Sequence, residues 1–501
     1  MAATSPSIAP IRALCPGLNR VSLPCCRRRP RRATPRWRPP RCSRKGKPVV
    51  TDVVEEAAPR GPETERKDDE ESEAGALRRF LGRLRLDGVA ADIISIAAPA
   101  VLALAADPIT ALVDTAFVGH IGSAELAAVG ASASVFNLVS KLFNVPLLNV
   151  TTSFVAEQQA VNDNSSNTTG QRDEFLTPEK KASQQRKVLP AVSTSLALAA
   201  GIGLLEMVAL IVGSGTLMNI IGIPVDSPMR APAEQFLTLR AYGAPPIIVA
   251  LAAQGAFRGF LDTKTPLYAV GAGNLLNAIL DAALIFPLGL GVSGAALATV
   301  TSEYLTALIL LWKLNNEVDL FSWNIIGDGV IRYLKSGGLL IGRTIAVLLT
   351  FTLSTSLAAR EGPVPMAGYE ICLQVWLTIS LLNDALAIAG QALLASEYAK
   401  GNYKQARMVL YRVLQVGGVT GVALAATLFI GFGSLSLLFT DDPAVLDVAR
   451  SGVWFVTISQ PVNAIAFVAD GLYYGVSDFA FAAYSMVREQ RWTLGNYLVR
   501  E

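Results

Sequence analysis

The chain has 501 residues, of which 51% are hydrophobic and only 17% charged, with a formal net charge of +3 and a mean hydropathy of +0.41. Soluble chains carry about 25% charged residues, so a soluble multidomain enzyme is disfavoured and a large membrane bundle is expected. Residues 1–51 hold thirteen basic residues, from Arg12 to Lys47, and no acid, in a Ser-, Ala- and Pro-rich stretch without an apolar core. That composition predicts an organelle transit peptide rather than a secretory signal; the alternative is a basic tail for nucleic acid or lipid. Residues 52–89 follow as an acidic linker and juxtamembrane segment (Glu63, Glu65, Asp68, Asp69, Glu70, Glu71, Glu73), too polar to bury a core. Cys15, Cys25, Cys26 and Cys42 lie in the presequence, leaving Cys372 alone, so no internal disulfide or thiolate metal cluster is expected. The single histidine, His120, reads as a loop residue in Gly119-His120-Ile121-Gly122.

From residue 90 onward, apolar runs of about 20 residues, the length of a spanning helix, recur. Ten spans are expected near 93–118, 124–156, 188–213, 232–257, 266–290, 292–314, 336–358, 364–397, 408–439 and 444–475, and an eleventh begins near 478. The spans at 124–156 and 364–397 are long for one straight crossing, which implies tilt or a break near Pro146. Loop charges fit this map. One side collects Arg172, Lys180, Lys181, Arg186, Lys187, Arg258, Lys264, Lys313, Arg332, Lys335, Lys400, Lys404, Arg407 and Arg412; the other has little beyond Arg230, Arg360 and Arg450. The positive-inside bias then puts the N-terminus on the cytoplasm-like side, the stroma in a plastid.

The two halves resemble each other. Pro245, Gly255, Gly259 and Asp262 recur 216 residues later as Pro461, Gly471, Gly475 and Asp478, and Asp226 recurs as Asp442. Gly122 and Glu157 recur at a spacing of 240 as Gly362 and Glu397. Such duplication is common in secondary transporters, whose substrate sites lie between the halves.

Ionisable groups inside a span are functional suspects because their insertion is costly. The first span holds Asp107 and, two turns on, Asp114; the fifth holds Asn277 and Asp281, stacked at i, i+4; the sixth adds Thr299. Carboxylate and amide oxygens of this kind suit a proton or a hard monovalent cation. Further polar residues at membrane depth are Lys141, Arg240, Glu303, Arg343, Glu370, Asp384, Gln391 and Asp470. Lys141 or Arg343 on a central cavity would suit an anion, although long side chains can also snorkel to the interface. No P-loop, Asp-rich prenyltransferase motif or nucleophile elbow is present, so neither direct ATP use nor an enzyme is expected.

The run Ala106-Asp107-Pro108-Ile109-Thr110-Ala111-Leu112-Val113-Asp114-Thr115-Ala116-Phe117-Val118-Gly119-His120 resembles the first helix of the multidrug and toxic compound extrusion (MATE) family, DinF-like branch. Gln254-Gly255-Ala256-Phe257-Arg258-Gly259-Phe260-Leu261-Asp262-Thr263-Lys264-Thr265-Pro266 and Cys372-Leu373-Gln374-Val375-Trp376 are similar to plant DETOXIFICATION-type members, including plastid ones. The resemblance implies an all-α integral membrane bundle of two lobes related by a pseudo-twofold repeat, usually with twelve helices. Here it implies an N-lobe at 90–314, a C-lobe at 315–487 with about ten complete spans in all plus a stub, and a divergent polar tail at 488–501, as in a truncated product. It also implies export of a small organic solute, an organic or phenolic acid as first guess, across a plastid envelope in exchange for H+ or Na+. No other cofactor and no nucleic acid are expected. The family's cation site maps onto Asp114, Asn277, Asp281 and Thr299, and Lys141, Arg343, Gln374, Asp384 and Gln391 are candidates for the substrate cavity. The missing helices raise a second expectation: a non-transporting or regulatory isoform.

Overall fold

The computed structural model describes residues 88–169, 189–320, 328–437, 439–440 and 442–486. The basic presequence, the linker up to residue 87, most of the 158–187 loop and the tail from 487 onward lie outside the described residues. The elements are α1 (Gly88–Gly119), α2 (Ser123–Thr169), α3 (Pro190–Ile221), α4 (Arg230–Ala241), α5 (Ala244–Gly259), α6 (Lys264–Ile285), α7 (Gly291–Glu317), α8 (Asp328–Arg360), α9 (Pro363–Ala399), α10 (Tyr403–Ser436) and α11 (Pro443–Gly475). Among the described residues, nine of them are each long and apolar enough to cross a membrane, and the bent pair α4–α5 together has the length and composition of a tenth. A further helical stretch at 479–486 starts where the eleventh span was expected.

Helices are the outcome because a backbone in lipid must satisfy its polar groups within its own segment. Only 11% to 44% of the most apolar window of each span is buried inside the protein. The remainder includes Ile430, Phe455 and Val212, each more than 80% exposed, which is tolerable against acyl chains and not against water.

Two local expectations change. The span expected at 232–257 is two helices meeting at 45°. Pro245 and Pro246 sit in the first turn of α5, where proline supplies no N–H and disfavours helical geometry in the residue before it. Of the tilt or break expected for 124–156, no break occurs at Pro146: α2 runs unbroken for 47 residues, through Pro146 and beyond the expected end. Pro146 and Leu147 are buried against neighbouring helices, and such packing lets a membrane helix tolerate one lost bond.

The repeat is visible in the packing. Leu261 and Ser477, which are 216 residues apart, are the non-glycine residues with positive φ among the described residues, at 63° and 57°. Around them the same turn forms twice: Asp262 N–H donates to Phe257 O and Asp478 N–H to Tyr473 O, while the two aspartate side chains accept from the following helical turns. Gly255 and Gly259 lie against α2 at Leu148, Thr151 and Val155, and Gly471 and Gly475 lie against α9 at Ala387, Gln391 and Leu394. Gly203 meets Pro245 as Gly421 meets Pro461. Lipid offers no hydrophobic drive between helices, so close backbone approach at small residues supplies the packing.

Among the described residues, the lobes, α1–α7 and α8–α11, share cores at one end. There α2, α3, α5 and α7 pack with Tyr333, Tyr474, Phe479 and Ala482, and the start of α1 packs on α9, α10 and α11. At the other end each lobe keeps its own clusters. Hydrogen bonds joining the lobes gather at the shared end: Ser153 Oγ donates to Tyr474 O (2.7 Å), and Gln391 Nε2 to Asn149 O and Ser153 Oγ (both 2.9 Å). Tyr333 Oη donates to Ala191 O (3.0 Å), and Arg332 pairs with Glu157 (2.7 Å).

A candidate cation site in the amino-terminal lobe

Helices α1 and α6 run parallel at a constant register. Thr263 Oγ1 donates to Ile96 O at 2.8 Å, and Asn274 Nδ2 approaches Asp107 Oδ1 at 3.5 Å; both pairs are separated by 167 residues. The same offset places Asp114 level with Asp281, where the two carboxyls face each other within hydrogen-bonding range. One turn back on α6, Asn277 inserts its amide between the helices. Asn277 and Asp281 are fully buried.

The amide orientation that satisfies its neighbours turns the Asn277 nitrogen toward the acids, 2.9 Å from Asp114 Oδ1 and 3.1 Å from Asp281 Oδ2; this orientation is assigned from the hydrogen bonds. The other amide atom lies 3.3 Å from Thr299 Oγ1, whose hydroxyl donates to Ala295 O at 2.9 Å. Asp281 Oδ1 is buried without a hydrogen-bond partner. The structure therefore gathers Asp114, Asn277, Asp281 and Thr299 from three helices. Two facing carboxyls repel when both are ionised, and a proton or a small cation between them relieves that repulsion.

The cavity candidates do not converge in the same way. Lys141 is exposed on α2. Gln374 donates to Glu370 Oε1 at 2.7 Å on an exposed face of α9. Arg343 pairs with Asp470 and lies 5.8 Å from the Tyr474 ring centroid, while Asp384 is in electrostatic range of Arg258 and Arg343. Gln391 is 2% exposed and its amide is committed to the lobe interface. Arg258, grouped by sequence with the loop charges, is buried. His120 sits at the end of α1, its Nδ1 2.7 Å from Ala116 O. Sequence reasoning passed over Glu206, a lone acid in Leu204-Leu205-Glu206-Met207 at mid-span of α3 and 2% exposed. The rule that singled out Asp281 applies to it equally.

Nine apolar helices and one bent pair of membrane-spanning length among the described residues, arranged in two repeated lobes joined at one end and enclosing buried carboxyls, define a polytopic membrane transporter. The MatE family model matches residues 182–283 and 340–488. Protein DETOXIFICATION 44, chloroplastic, of Arabidopsis thaliana is 68% identical over 396 residues, covering 79% of this chain and 74% of the relative. Protein DETOXIFICATION 45, chloroplastic, of the same plant is 47% identical over 79% of this chain and 70% of its own length. The chain belongs to the MatE family, whose members are membrane transporters and not enzymes. Solved structures agree in fold. An outward-facing multidrug resistance MATE transporter superposes with a TM-score of 0.69 at 18% identity, over 79% of this chain and 84% of that one. The Vibrio cholerae MATE transporter VcmN in the bent form superposes at 0.70 and 16% identity, over 80% of this chain and 86% of that one.

Proposed function

We propose that this transporter exports an organic acid across a plastid membrane in exchange for H+ or Na+ bound at Asp114, Asn277, Asp281 and Thr299. The observation that carries the proposal is the buried pair of facing carboxyls bridged by Asn277, with one oxygen of Asp281 left without a partner. Such a site changes charge when it loads, and a load that favours one arrangement of the lobes drives the other partner of the exchange. The plastid assignment is supported by the Arg-rich, acid-free stretch at 1–51 and by two relatives described as chloroplastic. The organic-acid assignment is supported by Arg343, a partly buried cation of α8 beside Asp470 and Tyr474 of α11.

The test is uptake into proteoliposomes under an imposed pH or sodium gradient, with citrate and salicylate as probes. Asp114→Asn and Asp281→Asn are each expected to abolish gradient-driven uptake while leaving the protein folded. Unchanged gradient-driven uptake in both variants rules out this site.

A further inference from the structure

Beside the Asp114–Asp281 site, the same lobe holds a second set of ionisable side chains on other helices. Glu206 stands at mid-span of α3, Arg240 in the last turn of α4 at the bend, and Glu303 on α7. Arg240 pairs with Glu303, and its guanidinium lies 4.4 Å from the centroid of the Phe136 ring on α2. Ser140, also on α2, donates its hydroxyl to Glu206 Oε1. Glu206 is 2% exposed, and its Oε2 is buried with no hydrogen-bond partner, as is Oε2 of Glu303. Arg240 is in electrostatic range of Glu303, Glu206 and Asp114. One guanidinium thus pairs with one carboxyl and lies in electrostatic range of two more, on three helices in all, and Asp107 is in range of Glu303 as well. With all three ionised, the excess negative charge on buried groups is strongly unfavourable.

We infer that Glu206 is a second proton-binding site of the amino-terminal lobe, separate from the Asp114–Asp281 pair. The occupant is a proton rather than a metal cation because the ligand set is too small. Hard cations take several oxygen ligands, whereas Glu206 meets one serine hydroxyl and has a guanidinium nearby that repels a metal ion. A proton on the free oxygen, Oε2, removes the unpaired charge and leaves the Ser140 bond to Oε1 in place. Both sites lie in the field of Arg240, so a change of charge at one is felt at the other. The inference concerns the protein's own carboxyls and depends on neither the substrate nor the coupling ion proposed above.

Infrared spectra of the purified protein in lipid nanodiscs, taken across a pH series, read protonated buried carboxyls as C=O stretching bands without any substrate. Glu206→Gln is expected to lack one band that both the unmodified protein and Asp281→Asn retain, and Asp281→Asn is expected to lack a different one. A Glu206→Gln spectrum that matches the unmodified protein in this region at every pH overturns the inference. If Asp281→Asn loses no band, the coupling site does not take a proton and is left to Na+, while the Glu206 site stands. Should Glu206→Gln not fold, Glu206→Asp reports the same carboxyl: a shifted band supports the assignment, and an unshifted spectrum overturns it.

Discussion

Asn277 is the side chain on which the proposed cation site turns. It is fully buried, and its amide supplies N–H bonds to both Asp114 and Asp281. Hydrogen bonds to charged groups are worth about 1.5–3 kcal/mol, and neutral ones about 1 kcal/mol. Because those N–H bonds stabilise the ionised, unloaded carboxyls, Asn277→Ala is expected to tighten proton binding about tenfold to a hundredfold, measured as the proton concentration that half-saturates exchange. Thr299→Val, which removes only a neutral hydroxyl, is expected to shift the same reading a few-fold. A weakening by Thr299→Val as large as the tightening by Asn277→Ala would show that the threonine oxygen binds the ion directly. The i, i+4 spacing of Asn277 and Asp281 was legible in the sequence because a helix puts such residues on one face. Their alignment with Asp114 was not, since the offset of 167 residues between α1 and α6 belongs to the packing.

Between elements, glycine decides how closely helices approach. A Cβ at Gly255 would meet the Leu148 carbonyl oxygen and Thr151, and one at Gly471 would meet the backbone of Ala387. Gly418 and Gly433 have nothing within 4 Å of that position. Gly255→Val and Gly471→Val are expected to destabilise by similar amounts, each about 1–3 kcal/mol from overpacking. Gly418→Ala and Gly433→Ala are expected to be neutral or stabilising by up to about 1 kcal/mol from helix propensity. Unfolding in detergent measures all four, and unequal losses at Gly255 and Gly471 would argue that the lobes do not share one packing scheme. The bend between α4 and α5 has its own signature: a Cβ at Gly243 would crowd the Arg240 and Glu303 side chains. Gly243→Ala is expected to disturb that ion pair and lower the unfolding temperature, unlike the Gly418 and Gly433 variants.

In the whole molecule, the end that closes is set by a few contacts between lobes. The Glu157–Arg332 pair is 39% and 51% exposed, so it contributes at most about 1 kcal/mol. Gln391 is buried and makes two hydrogen bonds across the interface. A shift of about 1.4 kcal/mol changes a two-state population tenfold. Glu157→Gln is thus expected to alter the closed population less than tenfold, and Gln391→Leu to alter it about tenfold or more. Labelling of an Asn149→Cys probe from each side of the membrane reads the difference. A larger effect from Glu157→Gln would place the closure in the exposed charges instead.

The sequence by itself determined the class of protein, the order of its apolar helices, the recurring motifs, and which residues are candidates for a cation site. These follow from local rules: an apolar run must be a helix in lipid, and a repeated motif repeats its turn. Tertiary structure alone decided which acids meet, how α4 bends into α5, that α2 passes Pro146 unbroken, and which end of the lobes is joined. It also drew Gln391 into the lobe interface and Glu206 toward Arg240. Such pairings depend on the register and approach of helices far apart in the chain, and in lipid that register is set by the shape of small residues at the contacts, which no single span carries on its own.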